Sequence, residues 1–124
     1  AIAAFDRMQI RFHKPLYLGM LAEGHLAQDR AADALAVLEQ AIALGDQTGE
    51  RSHSAELWRL RAQAAWSSGS SDARSTCEHD LRLAIDIARV QGSIMFERRA
   101  ASDLTRLQAA AGANELRWAD RQLL

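Results

Sequence analysis

The chain has 124 residues, a formal net charge of −1, a hydrophobic fraction of 48% and one cysteine. This length suits one domain or a fragment of a longer array, and the balanced charge argues against the clustered basic surface of a nucleic-acid-binding protein. No apolar run approaches the roughly 18 residues of a membrane span, no signal peptide is visible, and the lone Cys77 cannot form an internal disulfide. We therefore expect a cytoplasmic protein, and the 25 alanines predict an all-α fold.

Apolar periodicity predicts a series of helices along the chain. Residues 1–12 are expected to be the helix remnant of a preceding unit. Pro15 then suits the first turn of a new helix, where its missing amide proton has no cost. That helix is expected to end near Ala27, with Asp29 as the cap of the next one. The remaining helices are predicted over 31–46, 52–67, 73–91, 93–112 and 114–124.

One segment of the chain recurs after 43 residues. Residues 41–44 (Ala-Ile-Ala-Leu) and Gly49 return as residues 84–87 (Ala-Ile-Asp-Ile) and Gly92. A period of this length is typical of stacked helical units, in which each unit leaves a hydrophobic face that its neighbour covers. We therefore predict an α-solenoid of about three antiparallel helix hairpins. Repeat 1 is expected over 14–46, repeat 2 over 52–91 and a degenerate repeat 3 over 93–124.

The spacing of large and small residues resembles the tetratricopeptide (TPR) repeat. The residues that match the motif are L-x-x-L-A from residue 18 on a first helix and A-x-x-x-L-x-x-A from residue 34 on a second helix. Aligning Leu57 with Leu18 places Arg61 where the motif has a small residue. In repeat 3, Arg117 and Arg121 fall at expected apolar positions of the second helix, so this unit departs furthest from the motif.

Short segments spread over most of the chain carry a narrower resemblance. They are LAE at 21–23, TGER at 48–51, AELWRLR at 55–61, LAIDIAR at 83–89 and RAASDL at 99–104. Together they are similar to the C-terminal TPR region of bacterial signalling proteins that join a predicted ATPase module to an adenylate or guanylate cyclase domain, or to a LuxR-type DNA-binding domain. The resemblance implies an interaction domain of a larger signalling or transcription regulator. The catalytic and DNA-binding motifs of those proteins are absent from this sequence.

No motif in the sequence points to catalysis or to a metal. Gly45-x-x-x-Gly49 lacks the Lys-Ser/Thr of a phosphate-binding loop. Cys77 and His79 lie two residues apart on a helix, so they point about 200° apart and cannot share an ion. A buried Cys and an exposed His are the simpler interpretation. We therefore expect a protein that is not an enzyme and that holds no cofactor.

Two tryptophans on the third helix suggest a binding surface. Trp58 and Trp66 are eight residues apart, which places them on one helix face. In TPR arrays the first helix of each hairpin lines the concave surface, so the resemblance implies a groove for an amphipathic helix or an acidic peptide. The alternatives are that both tryptophans pack against neighbouring helices and that the arginines form a solvated, salt-bridged face. The expected lining residues are Glu23, Trp58, Ala62, Trp66, Arg99, Ser102 and Arg106.

These features predict a non-catalytic domain that binds a protein or peptide, including other domains of the same longer protein. Direct contact with nucleic acid or a membrane is not expected. A structural module that extends or dimerises the longer protein through the array ends is one alternative function. A small-molecule sensor with a pocket between hairpins is another.

Overall fold

The computed structural model describes residues 2–110, with side chains from residue 13 onward. Within these residues the chain is all-α, which confirms the predicted fold class. No helix in this part of the chain is both long enough and apolar enough to cross a bilayer. The predicted sixth helix lies outside the described residues. The helices are α1 (Ile2–Ala27), α2 (Ala31–Thr48), α3 (Ser54–Ser67), α4 (Ala73–Gln91) and α5 (Ile94–Ala109).

The helices stack in chain order, as expected for a helical repeat. α1 with α2, and α3 with α4, form two hairpins, and α5 packs on the second of them. In addition α3 packs against α2 and α1, just as α5 packs against α4 and α3. Each first helix of a unit therefore lies on both helices of the preceding hairpin, and this layered contact replaces a single central core.

The first core forms where α3 packs on the α1–α2 hairpin. Small residues let the helices approach closely, and leucines fill the space between them. Burying a leucine fully stabilises the folded state by about 1.5–3 kcal/mol, so these few side chains hold the junction together. The fully or almost fully buried members are Ala22, Leu26, Ala34, Leu38, Ala41, Leu57, Leu60 and Ala64.

The second core has the same pattern as the first core. On the second helices, the equivalent positions lie 43 residues later in the sequence. Positions 34, 38, 41 and 45 of α2 return on α4 as Cys77, Leu81, Ala84 and Ala88, and all of these residues are buried. α5 covers this stripe with Ala100, Leu104 and Leu107. The 43-residue recurrence in the sequence therefore corresponds to two equivalent buried stripes.

The first helices of the two hairpins are related by a shift of 40 residues, not the 39 that aligns Leu57 with Leu18. Positions 18, 22 and 26 of α1 pack on the first core, and Trp58, Ala62 and Trp66 pack on the second core at the corresponding positions of α3. The small residue of repeat 2 is therefore Ala62. The expectation that Arg61 occupies that position is wrong, because a slip of one residue rotates a helix position by about 100°.

α1 continues through Pro15, so the predicted start of a new helix at this residue is wrong. A proline inside a helix removes one backbone hydrogen bond and clashes with the carbonyl four residues earlier. Here the ring is fully buried. Its Cγ lies 4.0 Å from the point that a Cβ on Gly45 of α2 would occupy. Packing of the ring against α2 offsets part of the cost to the helix.

Asp29 ends α1 and does not cap α2 as predicted. Its φ is +58°, in the left-handed region that Asp tolerates better than most residues. The Arg30 amide donates to the carbonyl of His25 at 2.8 Å, and the Asp29 amide donates to the carbonyl of Leu26 at 3.2 Å. This pair of hydrogen bonds satisfies the last carbonyls of α1, and α2 begins after Arg30 without a side-chain cap.

The predicted end of α4 at Gln91 is confirmed, whereas α2 runs two residues beyond the predicted end at 46 and α5 ends at Ala109, short of the predicted 112. α2 ends at Gly49 with φ of 77°, and α4 ends at Gly92 with φ of 72°, a conformation that favours glycine because it has no Cβ. Ser93 caps α5, since its hydroxyl oxygen accepts a hydrogen bond from the Phe96 amide at 3.3 Å. The tight turn at Gly92 and Ser93 brings the end of α4 next to the start of α5.

Candidate functional site

A well-formed depression on the described surface lies between α2, α3 and α4, and we call it the Trp58 groove. Its volume is about 600 Å³. α2 and α4 form its two walls, and Trp58 of α3 lies between them. The lining residues are Ile42, Asp46, Arg51, Ser54, Trp58, Asp86, Ile87, Val90 and Gln91.

The Trp58 groove combines an apolar interior with charged edges. Val90 is 89% exposed, the highest exposure of any large hydrophobic residue in the described part of the chain. Asp46 pairs with Arg51 at 3.3 Å on one edge. Asp86 on the α4 wall is exposed and makes no ion pair within the described residues. The Gln91 side-chain amide donates to the Arg51 carbonyl at 2.9 Å, which ties α4 to the α2–α3 connection.

Trp58 is held in place by Arg61 one turn later. The guanidinium carbon of Arg61 lies 5.3 Å from the centre of the Trp58 ring, within the range of a cation–π contact. Arg61 also pairs with Asp80 of α4 at 2.8 Å and with Glu39 of α2 at 3.6 Å. One arginine thus links three helices beneath the groove and fixes the orientation of the indole.

The carboxyl group of Asp80 is fully buried beside Arg61. Burial raises the pKa of Asp80, and the charge and hydrogen bonds of Arg61 oppose that rise only in part. Arg61 donates two hydrogen bonds to this carboxylate, at 2.8 and 3.0 Å. The arrangement is a structural ion pair that joins α3 to α4.

Trp66 lies at the other end of α3, about 12 Å along the helix axis from Trp58. The guanidinium carbon of Arg74 lies 5.1 Å from the Trp66 ring centre. Arg74 also donates to the carbonyl of Leu107 at 2.9 Å, so it joins the start of α4 to the end of α5. Trp66 packs against the second core, and it is not among the lining residues of the Trp58 groove.

The predicted binding residues of α5 make ion pairs or pack within the fold. Arg99 donates to Glu56 Oε2 at 3.0 Å, and its side chain is 21% exposed. Arg106 lies 3.8 Å from Asp103 Oδ1. Ser102 is half-buried, as is Glu23 of α1.

Three of the seven residues predicted to line one surface lie in separate contacts. Trp58 faces the α2–α4 side, Trp66 lies near Arg74, and Arg99 belongs to the α3–α5 contact. The prediction for Ala62 is wrong, because its side chain is fully buried in the second core and no partner can reach it. The alternative that both tryptophans pack against neighbouring helices is correct for Trp66 and partly correct for Trp58.

A buried cluster of charges joins α3 to α5 and was missed from the sequence. Arg59 donates to both oxygens of Glu56, at 3.0 Å each, and to Asp103 Oδ2 at 3.0 Å. Gln63 donates to the same Asp103 oxygen at 3.0 Å, and Arg99 donates to Glu56. Glu56, Arg59, Gln63 and Asp103 are all 0% exposed. The expectation of a solvated, salt-bridged face is therefore wrong for Asp103.

The charge cluster pairs two buried carboxylates, Glu56 and Asp103, with the buried guanidinium of Arg59 and the partly exposed guanidinium of Arg99. Burial alone would lower the pKa of Arg59, but its hydrogen bonds and charge contacts with Glu56 and Asp103 outweigh burial and raise it. A signal did exist in the sequence: positions 56, 59 and 63 share one helix face by their spacing, as do 99 and 103. What was missing was the knowledge that these two faces meet.

The chemistry of Cys77 and His79 follows the simpler interpretation. Cys77 is fully buried in the second core, and His79 is exposed. Burial, together with the nearby charge of Asp80, raises the pKa of the Cys77 thiol to about 12, so it is a poor nucleophile at neutral pH. Among the residues that the structure describes, no three His, Cys, Asp or Glu side chains are placed to hold a metal ion together.

Comparison with known proteins gives one relative of interest. An uncharacterized protein of Rhizobium meliloti (strain 1021) is 33% identical over 98 residues, which cover 79% of this chain but 9% of that protein. The chain thus matches a small part of a much longer bacterial polypeptide. No family model matches the chain. No solved structure matches it.

Proposed function

We propose that this chain is a TPR-like interaction domain without catalytic activity, and that it binds a segment of a protein partner in the Trp58 groove. The observation that carries the proposal is the groove itself. The groove has a volume of about 600 Å³, and its lining includes an indole, two isoleucines and a highly exposed valine. Interfaces concentrate their binding energy on such aromatic anchors in apolar depressions.

The shape and the charges of the groove favour a helix or peptide with one apolar anchor. α2 and α4 form two walls between which a third segment can lie, as in other helix-in-groove contacts. Trp58 would contact the anchor, with Ile42 and Ile87 on either side. The carboxylate of Asp86, which makes no ion pair within the described residues, favours a basic residue beside that anchor, since Arg51 already neutralises Asp46.

We further propose that the partner is another domain of the same polypeptide, a bacterial signalling or transcription regulator. The resemblance of segments 55–61, 83–89 and 99–104 to the TPR regions of such proteins supports this. The Rhizobium meliloti relative also supports it, because the matching segment there is 9% of a longer protein. In this proposal, release of the bound segment would couple the domain to an output domain.

Photo-crosslinking from inside the groove tests the proposal. A photoreactive phenylalanine at position 90, incorporated in cells into the complete gene product, should crosslink to one defined segment of a partner domain or protein. The same group at position 94 is the matched control, since Ile94 is 65% exposed but lies outside the groove. We expect Val90→Asp to weaken binding of the captured partner at least tenfold and Ile94→Asp to leave binding unchanged.

Two outcomes would contradict the proposal. Crosslinks from position 90 that are no stronger than those from position 94 would show that no protein occupies the groove. A metabolite that co-purifies with the chain and is lost on Trp58→Ala substitution would show instead that the groove is a small-molecule pocket, whose volume of about 600 Å³ lies within the usual range of about 300–1,000 Å³. Native mass spectrometry distinguishes these cases.

A further inference from the structure

An apolar stripe on α1 faces away from the rest of the described chain. Tyr17 is 56% exposed, Met20 43% and Leu21 50%. A Cβ built on Gly24 would meet nothing within 4 Å, so the stripe ends at an open position. These four residues lie one helical turn or less apart and form a continuous face, which we call the α1 stripe.

The internal repeat shows which residues of α3 are equivalent to the α1 stripe. α3 packs on the preceding hairpin through positions 57, 60 and 64, which are buried in the first core. Shifting them back by the 40 residues that relate α3 to α1 gives positions 17, 20 and 24.

α5 is consistent with this result. It packs on the preceding hairpin through positions 100, 104 and 107. α5 is related to α3 by 43 residues, so these positions shift back by 83 in total to 17, 21 and 24 of α1. The two derivations together reproduce the α1 stripe. α3 and α5 each bury this face against the preceding hairpin. Within the described residues, only α1 leaves the equivalent face exposed.

We propose that a further helical hairpin of the same repeat, lying before α1 in the same polypeptide, covers the α1 stripe. The chemistry of the occupant follows from the two junctions seen here. In both, the covering surface is a second helix with a small–large–small stripe, Ala34, Leu38 and Ala41 on α2 and Cys77, Leu81 and Ala84 on α4.

Two further observations favour this occupant. Gly24 leaves room for a close helix approach at the stripe, as small residues do at the two existing junctions. The Rhizobium meliloti relative carries the matching segment within a far longer chain, of which the match covers 9%. The inference does not depend on the Trp58 groove, whose lining includes no residue of the α1 stripe.

Cysteine labelling of the complete gene product tests this proposal. Met20→Cys and Ser75→Cys place a thiol on the α1 stripe and on an exposed position of α4, and Ala36→Cys provides a second exposed control on α2. The native Cys77 adds little background, because it is buried with a pKa raised to about 12. With a maleimide under native conditions, we expect Met20→Cys to react at least tenfold more slowly than both controls, and all three to react alike after unfolding.

Several results would overturn the proposal. If Met20→Cys and Leu21→Cys react within twofold of the controls, nothing covers the stripe. If their protection disappears on dilution, a second copy or a separate partner covers it and not a hairpin of the same chain. If protection persists on dilution but hydrogen exchange finds no protected helices upstream of α1, the occupant is not a preceding repeat. Loss of the Val90 crosslink without loss of this protection would affect only the proposed function.

Discussion

The two junctions between successive units solve the same packing problem with opposite chemistry. Junction 1, where α3 packs on α1 and α2, buries Leu60. Junction 2, where α5 packs on α3 and α4, buries Asp103 at the position 43 residues later. Both side chains are fully buried. An apolar contact in one junction is therefore replaced by a charged one in the next, although the backbone arrangement is shared.

The two junctions should therefore respond differently to substitution, because junction 1 depends on buried apolar volume and junction 2 on paired charges. An apolar junction tolerates changes in side-chain identity when volume is kept. A buried charge cluster contributes little net stability when complete, but it is costly to break, because the remaining charges stay buried without partners. Junction 2 should therefore hold α5 in one register on α3, whereas junction 1 should respond mainly to lost volume.

The largest effect is expected at the centre of the charge cluster. Arg59→Met leaves Glu56 and Asp103 buried without their shared cation, and we expect the free energy of unfolding to fall by about 3–5 kcal/mol. Urea denaturation followed by circular dichroism measures this. Arg59→Lys is the matched control, since it retains the charge but loses the fork that reaches both carboxylates, and it should cost less.

Restoring balance should rescue the loss. Combining Arg59→Met with Glu56→Leu and Asp103→Leu removes the unpaired carboxylates, and Arg99, which is 21% exposed, can reach water. We expect most of the lost stability to return in this variant. A loss below about 1 kcal/mol for Arg59→Met alone would contradict the description of junction 2 as dependent on paired charges.

At junction 1 the corresponding test removes volume. Leu60→Ala should lower the free energy of unfolding by about 3 kcal/mol, because it removes buried contacts and leaves a cavity in the first core. Leu60→Met keeps the volume and should cost less than about 1.5 kcal/mol. If Leu60→Met were as damaging as Leu60→Ala in the same denaturation assay, junction 1 would not be governed by volume.

A smaller difference is expected between the second helices. Position 45 of α2 is Gly, whereas position 88 of α4 is Ala, because a Cβ on Gly45 would lie 2.8 Å from the backbone oxygen of Glu50. Gly45→Ala should therefore destabilise the chain by about 1–3 kcal/mol. Gly24→Ala is the control at an open helical position and should stabilise it by up to about 1 kcal/mol in thermal unfolding. Equal effects of the two changes would contradict this account.

Alkaline pH should act on the core of junction 2 through Cys77. Its thiol pKa is about 12 in the folded chain and 9.0 ordinarily, so the folded state holds the proton more tightly. Stability from this group is present below pH 9 and is lost as pH rises from 9 towards 12. The loss approaches about 1.4 kcal/mol per pH unit in that range.

The Cys77→Ala variant isolates this dependence from other groups that titrate at high pH. The corresponding residue of junction 1 is Ala34, which does not titrate, so the variant makes the two cores alike. We expect the difference in unfolding free energy between parent and Cys77→Ala to depend on pH only above about 9. A difference that stays constant from pH 7 to 11 would show that the thiol does not report on the core.

The smallest effect is expected at the start of α5. Ser93 caps this helix, whereas α3 begins without a side-chain cap. Ser93→Ala should cost about 1 kcal/mol. His53→Ala at the corresponding position before α3 should cost less in chemical denaturation, apart from any loss of the ring contact with Phe96 at 6.3 Å. A larger loss for His53→Ala would mean that the ring contact outweighs the cap.

The sequence was sufficient to locate the helices in the described part of the chain. α4 was predicted over 73–91 and spans those residues, because apolar spacing defines a helix locally. Pro15 was misjudged because the benefit of burying its ring against α2 is a tertiary effect that local propensity does not contain.

The candidate site was harder to predict, because it depends on which neighbour covers each face. Aligning Leu57 with Leu18 shifted the predicted register of α3 by one residue. Because one residue corresponds to a rotation of about 100°, this error placed Trp58 on the wrong side of the helix. The pairing of Arg59 with Asp103, and of Arg99 with Glu56, joins residues more than 40 positions apart. Helical spacing cannot provide that pairing, since it reports a residue's direction but not its partner.

The central claim is that a partner binds between α2 and α4 and not along the first helices. Hydrogen–deuterium exchange of the complete gene product, measured with and without the partner segment captured from position 90, tests it most directly. We predict added amide protection over 42–46 and 86–91, the two walls of the Trp58 groove. Protection confined to 99–106 of α5, with both walls unchanged, would contradict the account.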